Sequence, residues 1–386
     1  MRSSFSIDKV QSPIIPTVAA WVRGTPGTLS MGQGMVAYPP PSEIMQACCD
    51  FGRAVGDHLY GASLGEPRLL AAITAKLLAE NAIDCAQGAQ VMVTAGANMA
   101  FLNVLLAILD PGDEVILPVP YYFNQEMAIR MLNGVPVTVP TTADYQLCLE
   151  DIKAAITPKT RAILTVSPNN PTGAVYSEAD LRAVNALCRT HGIYHISDEA
   201  YEYFLYDGAQ HFSPGSIPGA AAHTISLYSL SKAYGFASWR IGYAVVPEAL
   251  IPALLKVQDT NLIAPPLITQ AAALAALDVG SSYCKVQLQK LEQQRAQVLN
   301  SLHSSKLLFP MAQTQGAFYQ FVRLKTERND LELVRLLIQE YKVAAIPGCA
   351  FGMHDDVYLR ISYGMLAREC MQLAMARLLK GLEQLC

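Results

Sequence analysis

Seven short runs, almost wholly apolar and rich in β-branched residues, constrain this chain more than anything else in it. They fall at residues 91–94, 114–117, 136–139, 162–166, 194–197, 224–228 and 241–246. A strand with one wet face alternates apolar and polar side chains; a strand that does not alternate needs cover on both faces. Between many of the runs lies enough helical sequence for a crossover, so the pattern predicts a doubly wound, mostly parallel α/β sheet clothed by helices. Helices are expected to begin at Ser42 and Glu66. Past Pro266 the texture changes. Residues 267–277 read as an Ala/Leu-rich helix, and 282–304 as a long amphipathic one bearing Lys285, Lys290, Glu292 and Arg295. The second reads as a bridge into a smaller α+β domain, and the Pro- and Gly-rich arm, 1–41, as an extended segment that joins it. At 386 residues the chain exceeds one ordinary core. The division expected is 1–46 (arm, part of the small domain), 47–283 (large domain) and 284–386 (small C-terminal domain).

Hydrophobic residues make up 52% and charged residues 16%, which suits large buried faces and not a disordered chain. Net charge is −4 with no basic tract, so nucleic acid is not an expected partner. Residues 2–11 are polar, without the apolar core of a secretion signal behind Met1. The greasiest stretch, 99–109, carries Asn103 and is too short to span a bilayer. Nine scattered cysteines form no CxxC pair, which fits reduced thiols in a cytoplasm and no metal site.

Gly61-Ala62-Ser63-Leu64-Gly65 matches the nucleophile elbow of α/β hydrolases. That elbow needs a buried strand immediately before its serine, and residues 56–60 do not read as one. Three other segments each follow an expected strand, where open parallel sheets place their ligands. They are Ser167-Pro168-Asn169-Asn170-Pro171-Thr172-Gly173, then Ser197-Asp198-Glu199-Ala200-Tyr201, and then Ser229-Leu230-Ser231-Lys232 with Arg240 beyond it. Singly they read as a turn, a solvated or capping acid and an exposed lysine. Together they hold the parts that an electron-sink aldehyde cofactor requires. These are an amine for a Schiff base, a carboxylate to keep a pyridine nitrogen protonated, a phenol and an amide for a ring oxygen, and an arginine with serines for a phosphate.

With those residues the chain resembles the class I/II aminotransferases of the fold type I, aspartate-aminotransferase-like superfamily, over nearly its whole length. Met31-Gly32-Gln33-Gly34, Tyr60 with Gly65, Thr94-Ala95-Gly96-Ala97-Asn98 and Pro120-Tyr121-Tyr122 also resemble family elements, as do Gly316-Ala317-Phe318-Tyr319 and Leu359-Arg360-Ile361-Ser362. The resemblance implies pyridoxal 5′-phosphate bound through a Lys232 aldimine, with Lys232 then moving the proton as general base and acid. It implies Asp198 at the pyridinium nitrogen, Asn170 and Tyr201 at the ring hydroxyl, and Tyr122 stacked on the ring. Ser229, Arg240 and the amides of Ala97 and Asn98 would hold the phosphate, and Tyr60 of a second subunit would reach the same group across a homodimer. Gly34, Asn170 and Arg360 would meet the substrate, Arg360 pairing with its α-carboxylate.

The activity implied is ping-pong transfer of an amino group from an L-amino acid to a 2-oxo acid. A carbon–sulfur β-lyase on the same fold is the alternative. A ligand-sensing regulator is a third reading, disfavoured because no helix-turn-helix precedes the arm. Ser238, Leu70 and Thr314 depart from the residues the family often carries at those places. For a dicarboxylate side chain, Arg23, Arg53 and Arg130 are candidate partners; for an aromatic or sulfur-containing one, Trp21 is a candidate wall.

Overall fold

The computed structural model describes residues 2–386; Met1 lies outside them. All seven apolar runs are strands of one sheet. They are β1 (Ala89–Thr94), β2 (Glu114–Val119), β3 (Val135–Pro140), β4 (Thr160–Val166), β5 (Tyr194–Asp198), β6 (Thr224–Ser229) and β7 (Gly242–Pro247). The order across the sheet is β1-β7-β6-β5-β4-β2-β3. Only β7 runs antiparallel to its neighbours. Helices cover both faces, which is why the strands need no alternation: Ile116, Ile163, Ile196, Ile225 and Leu227 are all fully buried.

This topology sends the chemistry-bearing loops to one edge. Strands β1, β2, β4, β5 and β6 all finish there, and β7 starts there, with Gly242 opposite both Thr94 and Ser229. Val166 and Asp198 are register partners, so the end of β4 and the end of β5 stand side by side.

A second, three-stranded antiparallel sheet contains β8 (Tyr319–Arg323), β9 (Ile346–Pro347) and β10 (Tyr358–Ser362), in the order β9-β10-β8. The arm is stitched onto it. Leu29–Ser30 pairs in parallel with Val343–Ala344, the Ser362 amide donates to the Met31 carbonyl at 2.8 Å, and the Ala37 amide to Gly364 at 2.9 Å. Residues 31–37 therefore run beside the strand that carries Arg360.

The arm is not extended throughout, as its composition suggested. Ile14–Arg23 is a helix whose buried Ile14 and Val18 lie one turn apart. It packs on helix Asp330–Tyr341 and on β9. Pro16 falls in its first turn, where no intrahelical partner for an N–H is needed. The other helices begin where expected: Glu43–Asp50, Pro67–Asn81, Leu267–Val279 and Ser282–His303, with the Glu66 carboxylate accepting from the Leu69 amide at 2.9 Å as a cap.

Ser63 does not stand on an elbow. It follows a 3-10 turn, Val55–His58, and a loop, with no strand to strain it. Among the described residues no helix is long and apolar enough to cross a membrane, and no cluster of His, Cys, Asp or Glu could hold a metal ion. The nine cysteines are unpaired.

Ile196 is wholly enclosed at the centre of the sheet. Ile196→Ala should destabilise the protein by about 3 kcal/mol through lost burial and a residual cavity, read as a lower denaturant midpoint with an unchanged slope.

Candidate active site

A cavity of about 270 Å³ opens at the edge where the parallel strands end. Gly34, Ala97, Asn98, Tyr122, Asn170, Asp198, Tyr201, Ser229, Lys232, Arg240 and Arg360 all line it. Of the residues to which the resemblance gave a role at the cofactor or the α-carboxylate only Tyr60 does not; it is 86% exposed on the outside of the chain.

At the cavity's centre stand an amine and a carboxylate. Lys232 belongs to the short helix Leu230–Ala233, capped by Ser229, whose hydroxyl accepts from the Ser231 amide at 3.2 Å. The Lys232 ammonium donates to the Gly34 carbonyl at 2.5 Å, and the Tyr38 hydroxyl holds the Lys232 carbonyl at 2.8 Å. Desolvation, with Arg360 and Arg240 adding repulsion, pulls the amine down to about 8. Asp198 ends β5; its Oδ1 accepts from the Ala200 amide at 3.2 Å and its Oδ2 from Gln125 Nε2 at 2.7 Å. Burial pushes its carboxyl up to about 6.

One end of the cavity is built to take an anion. Helix Ala97–Ile108 begins directly at it, with Gly96 at the N-cap in the left-handed region (φ 86°) and no side chain capping the first amides. Arg240 lies against this turn, bonded to the carbonyl of Ala237 at 3.0 Å and of Ala95 at 3.4 Å. A Cβ on residue 96 would stand 2.7 Å from the Arg240 guanidinium. Free amides at a positive helix end, a guanidinium and two serine hydroxyls form a cradle of donors.

Arg360 holds the other end. It is 1% exposed, sandwiched with its guanidinium carbon 4.6 Å from the Tyr319 ring centre and 5.1 Å from that of Phe351. Nη1 donates to Asn170 Oδ1 at 2.8 Å and Nη2 to the Gly32 carbonyl at 2.7 Å, while Nε has no partner. Arg360 is fixed, yet it still has donor capacity to spend.

Comparisons with known proteins settle the family. A family model described as aminotransferase class I and II matches residues 26–378. The chain belongs to this family. It is 34% identical to an aspartate aminotransferase of Pyrococcus abyssi over all of this chain and 99% of that one. It is 33% identical to aromatic-amino-acid aminotransferase 2 of Thermococcus litoralis, again over all of this chain and 99% of that one. Among solved structures, the aspartate aminotransferase of Rhizobium meliloti superposes with a TM-score of 0.91 at 30% identity, covering both chains entirely. The aromatic aminotransferase of Pyrococcus horikoshii OT3 superposes at 0.87 and 32%, covering 95% of this chain and 99% of that one. The protein is thus a pyridoxal-phosphate-dependent aminotransferase of the fold type I architecture.

The cavity of this aminotransferase fits that cofactor. The donor cradle suits a phosphate dianion. The buried Asp198, held above its ordinary range by loss of water, suits a protonated ring nitrogen, and the Lys232 amine faces the same space. Val166 and Tyr122 line it too, an apolar and an aromatic surface for the faces of a ring.

Sequence reasoning missed Gln125 of the aminotransferase site and gave Tyr319 no role. Gln125, on helix Phe123–Met131, is 3% exposed and reaches Asp198; a lone polar residue on a short helix carries no signal. Tyr319, read from the sequence as the end of a family element without a role of its own, lies against Arg360 with its hydroxyl 2.7 Å from that of Tyr201. Four other candidates do not reach the cavity from within their own chain. Arg23, Arg53 and Arg130 do not line the cavity, Arg53 pairing with Asp50 at 2.9 Å and Arg130 with Glu126. Trp21, half-buried, packs against the core and does not line the cavity.

Asp198 generates a pH prediction. Its folded-state pKa exceeds the ordinary value near 4, so the cofactor-free protein binds an extra proton on folding, and stability falls as pH rises from about 4 to about 6. Cofactor-free Asp198→Asn should therefore gain stability relative to the parent across that window and keep a constant advantage above it. Gln125, whose Oε1 is unpartnered, can flip to accept from the new amide. Melting temperatures of both proteins across the window check this; a difference that does not vary with pH would clear Asp198 of the effect.

Proposed function

We propose that the cavity residues divide the aminotransferase reaction as follows. Ser229, Arg240 and the amides of Ala97 and Asn98 hold the phosphate, Asp198 the ring nitrogen, Asn170 and Tyr201 the ring hydroxyl, and Tyr122 one ring face. Arg360 receives the substrate α-carboxylate, which amino acid and 2-oxo acid share, so one site serves both halves of a ping-pong exchange. When bound, the cofactor supplies an electrophilic aldehyde and a ring that accepts carbanion charge. Lys232 Nζ takes the proton from the substrate Cα; burial pulls this amine down to about 8, so that it can act as base and then acid near neutral pH. The observation that carries this reading is the placement of Lys232, Asp198 and Arg360 around one cavity with a phosphate cradle at its far end.

We also propose a homodimer with shared sites, each Tyr60 completing its partner's phosphate cradle. Its exposure supports this, as does that of Met45, Val55 and Leu59 close by in the chain, all more than half exposed. An isologous dimer would bury both copies of such a surface at once. Nine free thiols support a cytoplasmic setting. The division into 1–46 with 284–386 and 47–283 is supported by the stitching of the arm onto the small sheet.

Lys232→Ala should retain cofactor and lose turnover about 10³-fold or more, since it removes the covalent anchor and the proton carrier together. Borohydride reduction followed by peptide mapping checks the anchor; label on another lysine would reassign it. Mixing Lys232→Ala with Tyr60→Ala subunits tests the shared site. Heterodimers should regain activity approaching half the native value, because one site is then intact. If Tyr60 serves its own chain, every site keeps a lesion and no activity returns.

A further inference from the structure

A helix of one turn cannot hold itself, so the position of Lys232 depends on what grips the two ends of Leu230–Ala233. At the first end the Ser229 hydroxyl accepts from the Ser231 amide. At the last end stand carbonyls that no further turn of helix can use. The Tyr38 hydroxyl reaches two of them, 2.8 Å from the Lys232 oxygen and 3.3 Å from that of Ala233. The Gly235 amide adds a bond to the Lys232 carbonyl at 3.3 Å, and the Cys284 thiol one to the Ala233 carbonyl at 3.4 Å. The bond from Tyr38 to Lys232 is the shortest of these.

The arm brings Tyr38 there by a close approach of two backbones. Gly235 has φ +68°, and a Cβ on it would stand 2.7 Å from the Tyr38 carbonyl oxygen. Further back along the arm, the Gly34 carbonyl accepts from Lys232 Nζ and the Gly32 carbonyl from Arg360. Residues 32–38 thus meet the lysine at its amine and at its main chain, and Arg360 besides. Burial, with Cys284 and Tyr283 adding to it, pushes the Tyr38 phenol up, so its hydroxyl stays a donor well above neutral pH. Tyr38 does not line the cavity, and whatever it does for the reaction passes through Lys232.

Resting on the reading of Lys232 as the proton carrier, we propose that Tyr38 is a positioning residue for that transfer. Its hydroxyl fixes the main chain of Lys232, and with it the reach of Nζ toward the substrate Cα. A base displaced by a fraction of an ångström loses rate at the transfer and nothing at binding.

Tyr38→Phe keeps the ring and removes the donor. In the cofactor-free variant, hydrogen exchange at the Tyr234 and Gly235 amides should quicken about tenfold as the turn loosens. In the holoenzyme, single-turnover half-reactions with aspartate or phenylalanine should slow about tenfold, with an α-deuterium effect at least as large as the parent's. 2-Methylaspartate and 2-methylphenylalanine, which have no α-proton to give, should bind within about twofold of the parent. Tyr283→Phe removes a hydroxyl that bonds the neighbouring arm carbonyl, Pro39, and should leave the transfer rate alone. Unchanged transfer or unchanged exchange in Tyr38→Phe would overturn the proposal. Equal slowing in Tyr283→Phe would do so too, as would binding of the 2-methyl acids weakened in proportion to the lost rate. Native transfer in Lys232→Ala would instead strike the lysine's own role, and this inference with it.

Discussion

A guanidinium enclosed on every side must be hydrogen bonded, and the way Arg360 meets that demand ties the molecule together. Its partners come from three separate places in the chain: Asn170 from the loop after β4, Gly32 from the arm, and the rings of Tyr319 and Phe351 from beside the small sheet. Leaving such a group unpaired would cost far more than an ordinary hydrogen bond contributes. The two sheets and the arm are therefore locked in the one arrangement that satisfies it. The same arrangement brings Gly34 to Lys232 and leaves the Arg360 Nε without a partner. Structural and chemical roles of this residue cannot be separated.

Charge burial also explains the centre of the site. Asp198 and Lys232 are perturbed in opposite directions by the same cause, loss of water, and each is eased by the other. The carboxylate is bonded only to neutral donors, the Gln125 amide and the Ala200 N–H, and the amine only to a carbonyl. A ligand with a positive ring nitrogen and an electrophilic carbon answers both needs at once.

Much of this was legible beforehand because its physics is local. Strands buried on both faces must be continuously apolar, and all seven runs became strands of one sheet. Loops following such strands must gather at one edge, which is where Asn170, Asp198 and Lys232 meet. The arm helix was hidden because Pro13 and Pro16 read as breakers, although a helix tolerates proline at its start. Gln125, and the role of Tyr319, were hidden because their importance lies in a neighbour, Asp198 or Arg360, far away in the chain. Tyr60 shows the complementary limit: the chain alone leaves it on the outside, and its proposed partner belongs to a second copy.

The single antiparallel strand has a consequence of its own. Because β7 begins at the edge where β6 ends, residues 230–241 form a loop with both feet at the site, closed by a bond from the Leu230 amide to the Ile241 carbonyl at 3.3 Å. The conformational entropy of positioning Lys232 against Arg240 is thus settled when the sheet folds, not when a ligand arrives. Length there becomes a metric quantity, since adding or removing one residue would move the amine relative to the guanidinium without disturbing either strand. Evolution can lengthen loops at the opposite edge of this sheet freely, whereas at this hairpin the chain has a ruler.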